Sequence, residues 1–565
     1  MTTPDLTATR HQLFFPSLRG YARGSVRYDL VAGVAAGTVV IPQAMAYATI
    51  AGLPVHVGLY TCMLPMLVYA LLGGSRSLSI STTSTIAILT ASAISAVPSD
   101  RSGDELLRDV FTLTTLVGLC LLAMRLFKLG SLVEQISPAT LSGVKTGVGL
   151  TVAATQLPAL LGIASDSEDE GFFGKLADAL SRLGDANLAT VLVSVVAIAT
   201  MLVLRRFAPQ VPGPLVVAVG GILLVALTDV EKRGLSVIGT VPSGLPTPTA
   251  PMLADVGALL PGALAIAVMA FLETVLVARA QRQRSEPPVD SDQELLANGF
   301  AALAGGLSQC MPPAGGFSQS AVNQRAGARS QLAGIVTAVL AVLVALFLGP
   351  VLEDLPDAVL AAMVMVAVVG LVSPADFVRY FRLDRAEFWV AAIVAAIGLT
   401  AGLLLAVGVG VVLTFVLVLR EVSQPRTRPL YPRPGGGWTT NPPGDEDLPT
   451  YDGILLLRLD GPLYTGNAQA THDAVLASAL AADPPVHAVV LEGMAVNRVT
   501  VTMLDALRAM REDLRTEGIT LVISSFPADS LDAMRRSHWF SDAEGEGLAQ
   551  PTVEDAIERV RDPRG

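Results

Sequence analysis

Charge is scarce in this chain. Only 15% of its 565 residues are Asp, Glu, Lys or Arg, where a soluble protein carries roughly a quarter. Cysteine is scarcer: Cys62, Cys120 and Cys310 each lie in or beside an apolar run, which excludes a disulfide framework and any thiolate metal spacing. The five histidines are scattered and form no ligand cluster. Lys and Arg number 38 against 49 Asp and Glu. The resulting net charge of -11 falls mostly outside the apolar runs and excludes a nucleic-acid partner. Arg10, Arg19 and Arg23 precede the first apolar run with no small-residue cleavage site behind them, so no removable signal peptide is expected. Hydrophobic residues make up the bulk, at 52% with a mean hydropathy of +0.57.

These residues are gathered in runs near 29–49, 56–73, 78–97, 110–127, 138–163, 187–204, 213–228, 254–278, 294–310, 317–324, 331–349, 357–373, 386–401 and 402–420. About fourteen such runs are too many and too long for buried core helices, and they define a polytopic α-helical membrane protein in contact with a lipid bilayer. With the N-terminus in the cytoplasm, the inside connections carry Arg76, Arg125, Lys128, Arg205, Arg206, Arg325, Arg329 and Arg420. The outside connections carry the acidic tract 166–170 and the acids of 353–357, with Arg101, Arg108, Lys232 and Arg233 as exceptions in or beside the longer ones. This asymmetry predicts a multi-pass cell-membrane protein with both termini cytoplasmic.

The segment 311–325, Met-Pro-Pro-Ala-Gly-Gly-Phe-Ser-Gln-Ser-Ala-Val-Asn-Gln-Arg, sits among these runs and cannot be a continuous lipid-facing helix. Its prolines and glycines free backbone groups that cost several kcal/mol each in hydrocarbon, so it belongs where protein or a wet cavity surrounds it. A helix starting near Gly316 would aim its positive end into that cavity, a seat for an anion. The hydroxyl run 79–85 holds the matching rank in the first half of the chain. Interruptions at matching ranks are the mark of an inverted-repeat secondary transporter with its site near the midplane.

Beyond Arg420, a stretch rich in Pro, Gly and charge reads as a solvated linker. Alternating strands and amphipathic helices follow, at 453–459, 468–481, 486–492, 501–517, 520–525 and 553–561. They predict a small α/β domain of roughly 110 residues, with no phosphate loop and no nucleophile elbow, so no enzyme is expected. The expected divisions are 1–27 as an N-terminal cytoplasmic segment, 28–421 as a transmembrane transport domain, 422–451 as a linker and 452–565 as the α/β domain.

Several stretches resemble the sulfate permease (SulP) anion transporters that end in a STAS domain. They are Asp29-Leu-Val-Ala-Gly with Ile41-Pro-Gln-Ala-Met-Ala-Tyr-Ala, Ala51-Gly-Leu-Pro-Val-His-Val-Gly-Leu-Tyr, Gly74-Ser-Arg-Ser-Leu-Ser, Gln156-Leu-Pro-Ala-Leu-Leu-Gly, Asp292-Gln-Glu-Leu-Leu-Ala-Asn-Gly and Gly316-Phe-Ser-Gln-Ser-Ala-Val-Asn. The resemblance implies a seven-plus-seven inverted repeat, a UraA-like core moving against a gate, and a homodimer. It also implies an anion held between the half-helices of spans three and ten. Two departures stand out. Gln319 occupies a position that is Arg in many relatives, and the STAS loop usually written Asp-Ser-Ser/Thr-Gly reads Thr500-Val-Thr-Met, which argues against phosphorylation there.

The expected anion site comprises Gln43, Tyr47, Thr82, Thr83, Gly315, Gly316, Phe317, Ser318 and Gln319. Gln43 and Tyr47 enter through the resemblance, and Gln43 could equally satisfy backbone freed by Pro42. The hydroxyls of residues 81–84 could cap a helix or donate to the anion. Glu273 lies inside an apolar span, where an ionisable group costs roughly 2.5–3.5 kcal/mol on insertion scales. It is expected to take up a proton or bind a sodium ion that offsets the anion, or else to make a structural hydrogen bond. No other metal and no cofactor is expected. The favoured function is proton- or sodium-coupled symport of a sulfate-, bicarbonate- or dicarboxylate-class anion by alternating access. The alternatives are an uncoupled channel or exchanger, an anion sensor signalling through its STAS domain, and, on fold alone, a nucleobase transporter.

Overall fold

The computed structural model describes residues 14–561 apart from 19–20, 22, 96, 98–102, 131–136, 164–171, 209–210, 239–243, 253–254, 283–285, 287, 370–371, 402, 434–435 and 443–450. Arg10, Arg19, the acidic tract 166–170 and part of the expected linker lie outside the described residues. The chain divides into two compact units, Met1–Thr414 and Phe415–Gly565.

Each apolar run of the sequence contains helix. Among the described residues, seven helices are long and apolar enough to cross a membrane, and Ser84–Ile94, Gly213–Leu227 and Leu332–Phe347 are shorter apolar helices. The helices of the first unit sort into two groups by what they pack against. The first group holds Val26–Ile50, Val55–Thr61 with Leu64–Leu72, Ser84–Ile94 and Gly103–Leu126. It also holds Val256–Gln281, Ser291–Leu307, Phe317–Arg325 and Leu332–Phe347. The second group holds Pro138–Leu161, Leu188–Phe207, Gly213–Leu227, Asp357–Val369 and Arg385–Thr400. Each half of the chain gives its leading segments to the first group and its trailing segments to the second. The repeat expected from the interruptions is therefore visible in the packing.

Close approach of helices, rather than a water-driven core, holds the first group together. A Cβ added at Gly33 would lie 2.5 Å from the Ala333 carbonyl oxygen, and the Thr337 hydroxyl donates to the Gly33 carbonyl across the same contact at 2.8 Å. At the end of that contact Asp29, fully buried, accepts from the Arg329 and Ser330 amides at 2.6 and 3.1 Å and from the Ser330 hydroxyl at 2.7 Å. One carboxylate thus satisfies the chain just ahead of the Leu332–Phe347 helix and ties it to the first span.

Two short strands interrupt the first group. β1 (Ile80–Ser81) pairs antiparallel with β2 (Ala314–Gly315), Ile80 opposite Gly315 and Ser81 opposite Ala314. Pro312 and Pro313 supply no N–H, and the extended backbone around them must find partners away from lipid. Each break satisfies the other. The Gly316 amide continues the pairing onto the Ser79 carbonyl at 3.2 Å.

The second unit is a five-stranded sheet in the order β3 (Thr427–Pro429), β6 (Ile454–Leu459), β7 (Ala488–Glu492), β8 (Thr520–Ser524), β9 (Ala549–Gln550). β6 to β9 are parallel and β3 is antiparallel at the edge. Helices cover both faces, as a parallel sheet requires. Ala468–Leu480, Val501–Thr516, Ala528–Met534 and His538–Gly545 enclose the larger core, with Val553–Arg561 against the smaller. Arg458 and Glu492 are directly opposite on β6 and β7, and the guanidinium donates to both carboxylate oxygens at 2.7 and 3.2 Å.

Part of the segment 422–451, expected as a linker, is strand. Thr427–Pro429 is an edge strand of the sheet, and β4 (Tyr431–Pro432) and β5 (Trp438–Thr439) form a separate hairpin. The compact division falls after Thr414 rather than after residue 421. Proline and charge density read as solvation in the sequence, but they also suit an exposed edge strand.

At Gly315 the second break packs closely against Leu78 and the helix carrying Thr274. An added Cβ would meet Leu78 Cδ1 at 2.9 Å and the Thr274 backbone at 3.0 Å. Gly315→Ala is expected to destabilise the detergent-solubilised protein by about 1–3 kcal/mol, measured as a lower melting temperature. Gly408→Ala, with nothing within 4 Å of its added Cβ, is the neutral control.

Candidate functional site

Because β1 and β2 are antiparallel, the helices that follow them leave in opposite directions. Ser84–Ile94 and Phe317–Arg325 therefore present their N-termini to each other across the crossing. The sequence dictates how each starts. The Thr83 hydroxyl caps the first, accepting from the Ile86 amide at 3.3 Å. Gly316 begins the second in extended conformation with no side-chain cap. An uncapped helix start leaves its first N–H groups free for a ligand.

Between the two helix groups lies a cavity of about 740 Å³. From the first group it is lined by Gln43, Tyr47, Thr82, Thr83 and Glu273, and by Gly315, Gly316, Phe317, Ser318 and Gln319. Every residue expected at the site thus faces one space, although they come from four separate stretches. Gln43 and Tyr47, one turn apart beyond Pro42, are half-buried; Phe317 and Ser318 are exposed into the cavity.

Glu273 is 5% exposed, and its carboxylate accepts from the Thr83 hydroxyl at 2.8 Å. Thr83 therefore accepts from a backbone amide and donates to the acid at once, so the helix cap and the carboxylate are one linked unit. Next to Glu273, the Thr274 hydroxyl accepts from the Gly315 amide at 3.0 Å and from Asn298 at 3.2 Å. The helix carrying the acid is thus bonded directly to the second break.

Gln319 lines the cavity and also spans the two breaks. Its amide nitrogen donates to the Ser79 carbonyl at 2.9 Å, and its amide oxygen accepts from the Ser81 hydroxyl at 2.9 Å. Both polar ends are engaged in bridging the two breaks, so Gln319 lines the cavity chiefly as a brace. The hydroxyls of Thr82 and Thr85 are buried without a hydrogen-bond partner among the described residues, and both residues line the cavity.

Several lining residues were not anticipated from the sequence. Lys145, Met201, Arg205 and Met363 enter from the second group, and Gln281 and Arg325 from the first. Lys145 carried a signal, a lone cation within an apolar run. Met363 had none, since a methionine in a span reads as packing.

The fold, the paired breaks and the cavity between two helix groups define a multi-pass membrane transporter. Residues 26–394 match the sulfate permease family, and residues 446–556 match the STAS domain. The chain is 31% identical over 569 residues to the probable sulfate transporter Rv1739c of Mycobacterium tuberculosis, covering 99% of each chain. It is 30% identical to the chloroplastic sulfate transporter 4.1 of Arabidopsis thaliana, over 88% of this chain and 75% of that one. Among solved structures, murine Slc26a9, described as an anion transporter in the inward-facing state, superposes with a TM-score of 0.87 at 21% identity, covering 99% of this chain and 96% of that one. The transmembrane domain of the cyanobacterial bicarbonate transporter BicA gives 0.59 at 23% identity, over 70% of this chain and 98% of that one. The chain belongs to the sulfate permease family, a family of transporters rather than enzymes.

Thr83→Val removes both the cap and the hydrogen bond to Glu273, and is expected to cost about 1–2 kcal/mol of stability. Thr83→Ser should restore it, as read by melting temperature in detergent.

Proposed function

We propose that this protein moves a small anion of the sulfate, bicarbonate or dicarboxylate class into the cell by secondary active transport, with a proton or sodium ion coupled through Glu273. One observation carries the reading: a buried carboxylate shares Thr83 with the start of one of two helices whose N-termini face a common cavity. Each helix start contributes roughly half an elementary positive charge. An ionised Glu273 offsets that charge; a protonated or sodium-bound Glu273 does not. The anion and the cation therefore favour each other's binding, and by reciprocity the coupling acts equally in both directions. A carboxylate in this position has no use in a passive anion path, which weighs against an uncoupled channel.

Alternating access follows from the cavity lying between the two helix groups. Sliding the first group against the second carries the crossing and the acid together, because both are hydrogen-bonded into the first group, and ions bound to them would move with it. The names of the relatives support sulfate and bicarbonate as substrates to test first. The same reading includes a homodimer, as the family resemblance implies, in the cell membrane; the distribution of basic residues supports cytoplasmic termini.

The test is uptake of labelled sulfate, bicarbonate and a dicarboxylate into proteoliposomes, with and without imposed proton or sodium gradients. One anion should accumulate above equilibrium only with a gradient. Glu273→Gln should abolish that accumulation while anion binding persists. Accumulation unchanged in the variant removes Glu273 from coupling, and gradient-independent equilibration in the wild type replaces symport with exchange or channel activity.

A further inference from the structure

Among the described residues, three cations line the cavity, and they are not equivalent. Arg205 and Arg325 lie in the last turns of the helices Leu188–Phe207 and Phe317–Arg325, and both are exposed. Arg325 is eight residues beyond Phe317, which places it about 12 Å along the helix from its start. Lys145 is half-buried, and its ammonium lies 5.3 Å from the centroid of the Phe317 ring, the first residue of that same helix. Among the described residues Lys145 forms no ion pair.

The way its helix packs fixes this position. In Pro138–Leu161, Gly143 and Gly147 lie against the Arg385–Thr400 helix. A Cβ at Gly143 would lie 2.6 Å from the Ala391 carbonyl, and one at Gly147 would lie 3.3 Å from the Ala395 carbonyl and Gly398 Cα. Residue 145 is two positions from each, about 200° around the helix, and so falls on the opposite face. Small residues seat one side on the second group while the lysine crosses the cavity to the first. The Phe317 face holds the ammonium by cation–π attraction, leaving its N–H donors for another ligand.

We propose that Lys145 is the specificity-determining cation of the anion seat, contributed by the second helix group to the uncapped start of Phe317–Arg325. This rests on the functional reading above and adds what that reading lacks, a full positive charge at the depth of the helix ends. Gln319, on the first group, supplies none, and both ends of its amide are engaged in the backbone of the breaks. A charge on the opposite group also ties affinity to conformation. Movement of the first group against the second changes the distance from Lys145 to the anion, so the seat is strongest when the two groups are placed as here and weaker when they part.

The experiment measures equilibrium binding of labelled sulfate and labelled bicarbonate to the purified full-length protein, for wild type, Lys145→Gln and Lys145→Arg. The Coulomb contribution scales with the charge product, so the loss in log affinity for a dianion is twice that for a monoanion. Lys145→Gln is expected to weaken bicarbonate about tenfold and sulfate about a hundredfold. Lys145→Arg should stay within a few-fold of wild type. If Lys145→Gln does not fold, Lys145→Cys modified with a cationic aminoethyl thiosulfonate should regain binding where a neutral ethyl reagent does not, on a Cys120→Ser background. Unchanged affinity in Lys145→Gln, equal loss for both anions, or equal rescue by both reagents overturns the role of Lys145 and leaves the transporter reading standing. Absence of anion binding in the wild type overturns that reading and this inference with it.

Discussion

The organising constraint is the backbone pairing of Ile80–Ser81 with Ala314–Gly315. In hydrocarbon, unpaired peptide groups are too costly to persist. A chain that breaks two helices at membrane depth must satisfy the freed groups within the protein. Here each break is the other's partner, and residues around them complete the arrangement. The Ser79 amide donates to the Ser320 hydroxyl oxygen, and the Ser79 carbonyl is shared by the Gly316 amide and Gln319. Gln331 donates to the Ser75 and Leu78 carbonyls just upstream. What results is a braced crossing from which two helices diverge, their starts aimed at one space.

That geometry sets the chemistry available. Helix starts without charged residues attract an anion weakly, which suits a transporter that must also release it. Glu273 joins the same unit through Thr83, so the balance of charge at the site depends on what the acid binds. Lys145 reaches in from helices that pack separately. The cavity therefore combines a rigid half, where crossing and acid are bonded together, with a half whose approach can vary. Bistable packing of two groups amplifies such a difference more readily than gradual deformation does.

Much of this was legible in the sequence because the signals were strong. Pro312, Pro313, Gly315 and Gly316 within a run of spans cannot be ordinary helix, and Glu273 in an apolar span asks for a function. The hydroxyl run at 81–84 is ambiguous in the sequence between capping and binding. In the structure Thr83 is the cap, and the Thr82 and Thr85 hydroxyls have no partner among the described residues. Gln319 reads in the sequence as a member of the anion site where an arginine is lost; its bracing role is not legible there, because a sequence cannot show that both ends of an amide are bonded to another segment about 240 residues away. The place of Lys145 is hidden from the sequence for a similar reason: which face of its helix meets the cavity depends on Gly143 and Gly147 seating against a helix far along the chain. The edge strand Thr427–Pro429 was hidden by its composition, since a single antiparallel strand at a sheet edge tolerates proline and charge.

The central claim is that an anion rests between the two helix starts. The most direct measurement is an anomalous difference map from crystals grown with selenate, a heavier analogue of sulfate. The account predicts one peak in the cavity within hydrogen-bonding distance of the Thr82 or Thr85 hydroxyl and of the backbone amides at Phe317 and Ser318. A protein that transports sulfate but shows its selenate elsewhere, with those groups untouched, contradicts it.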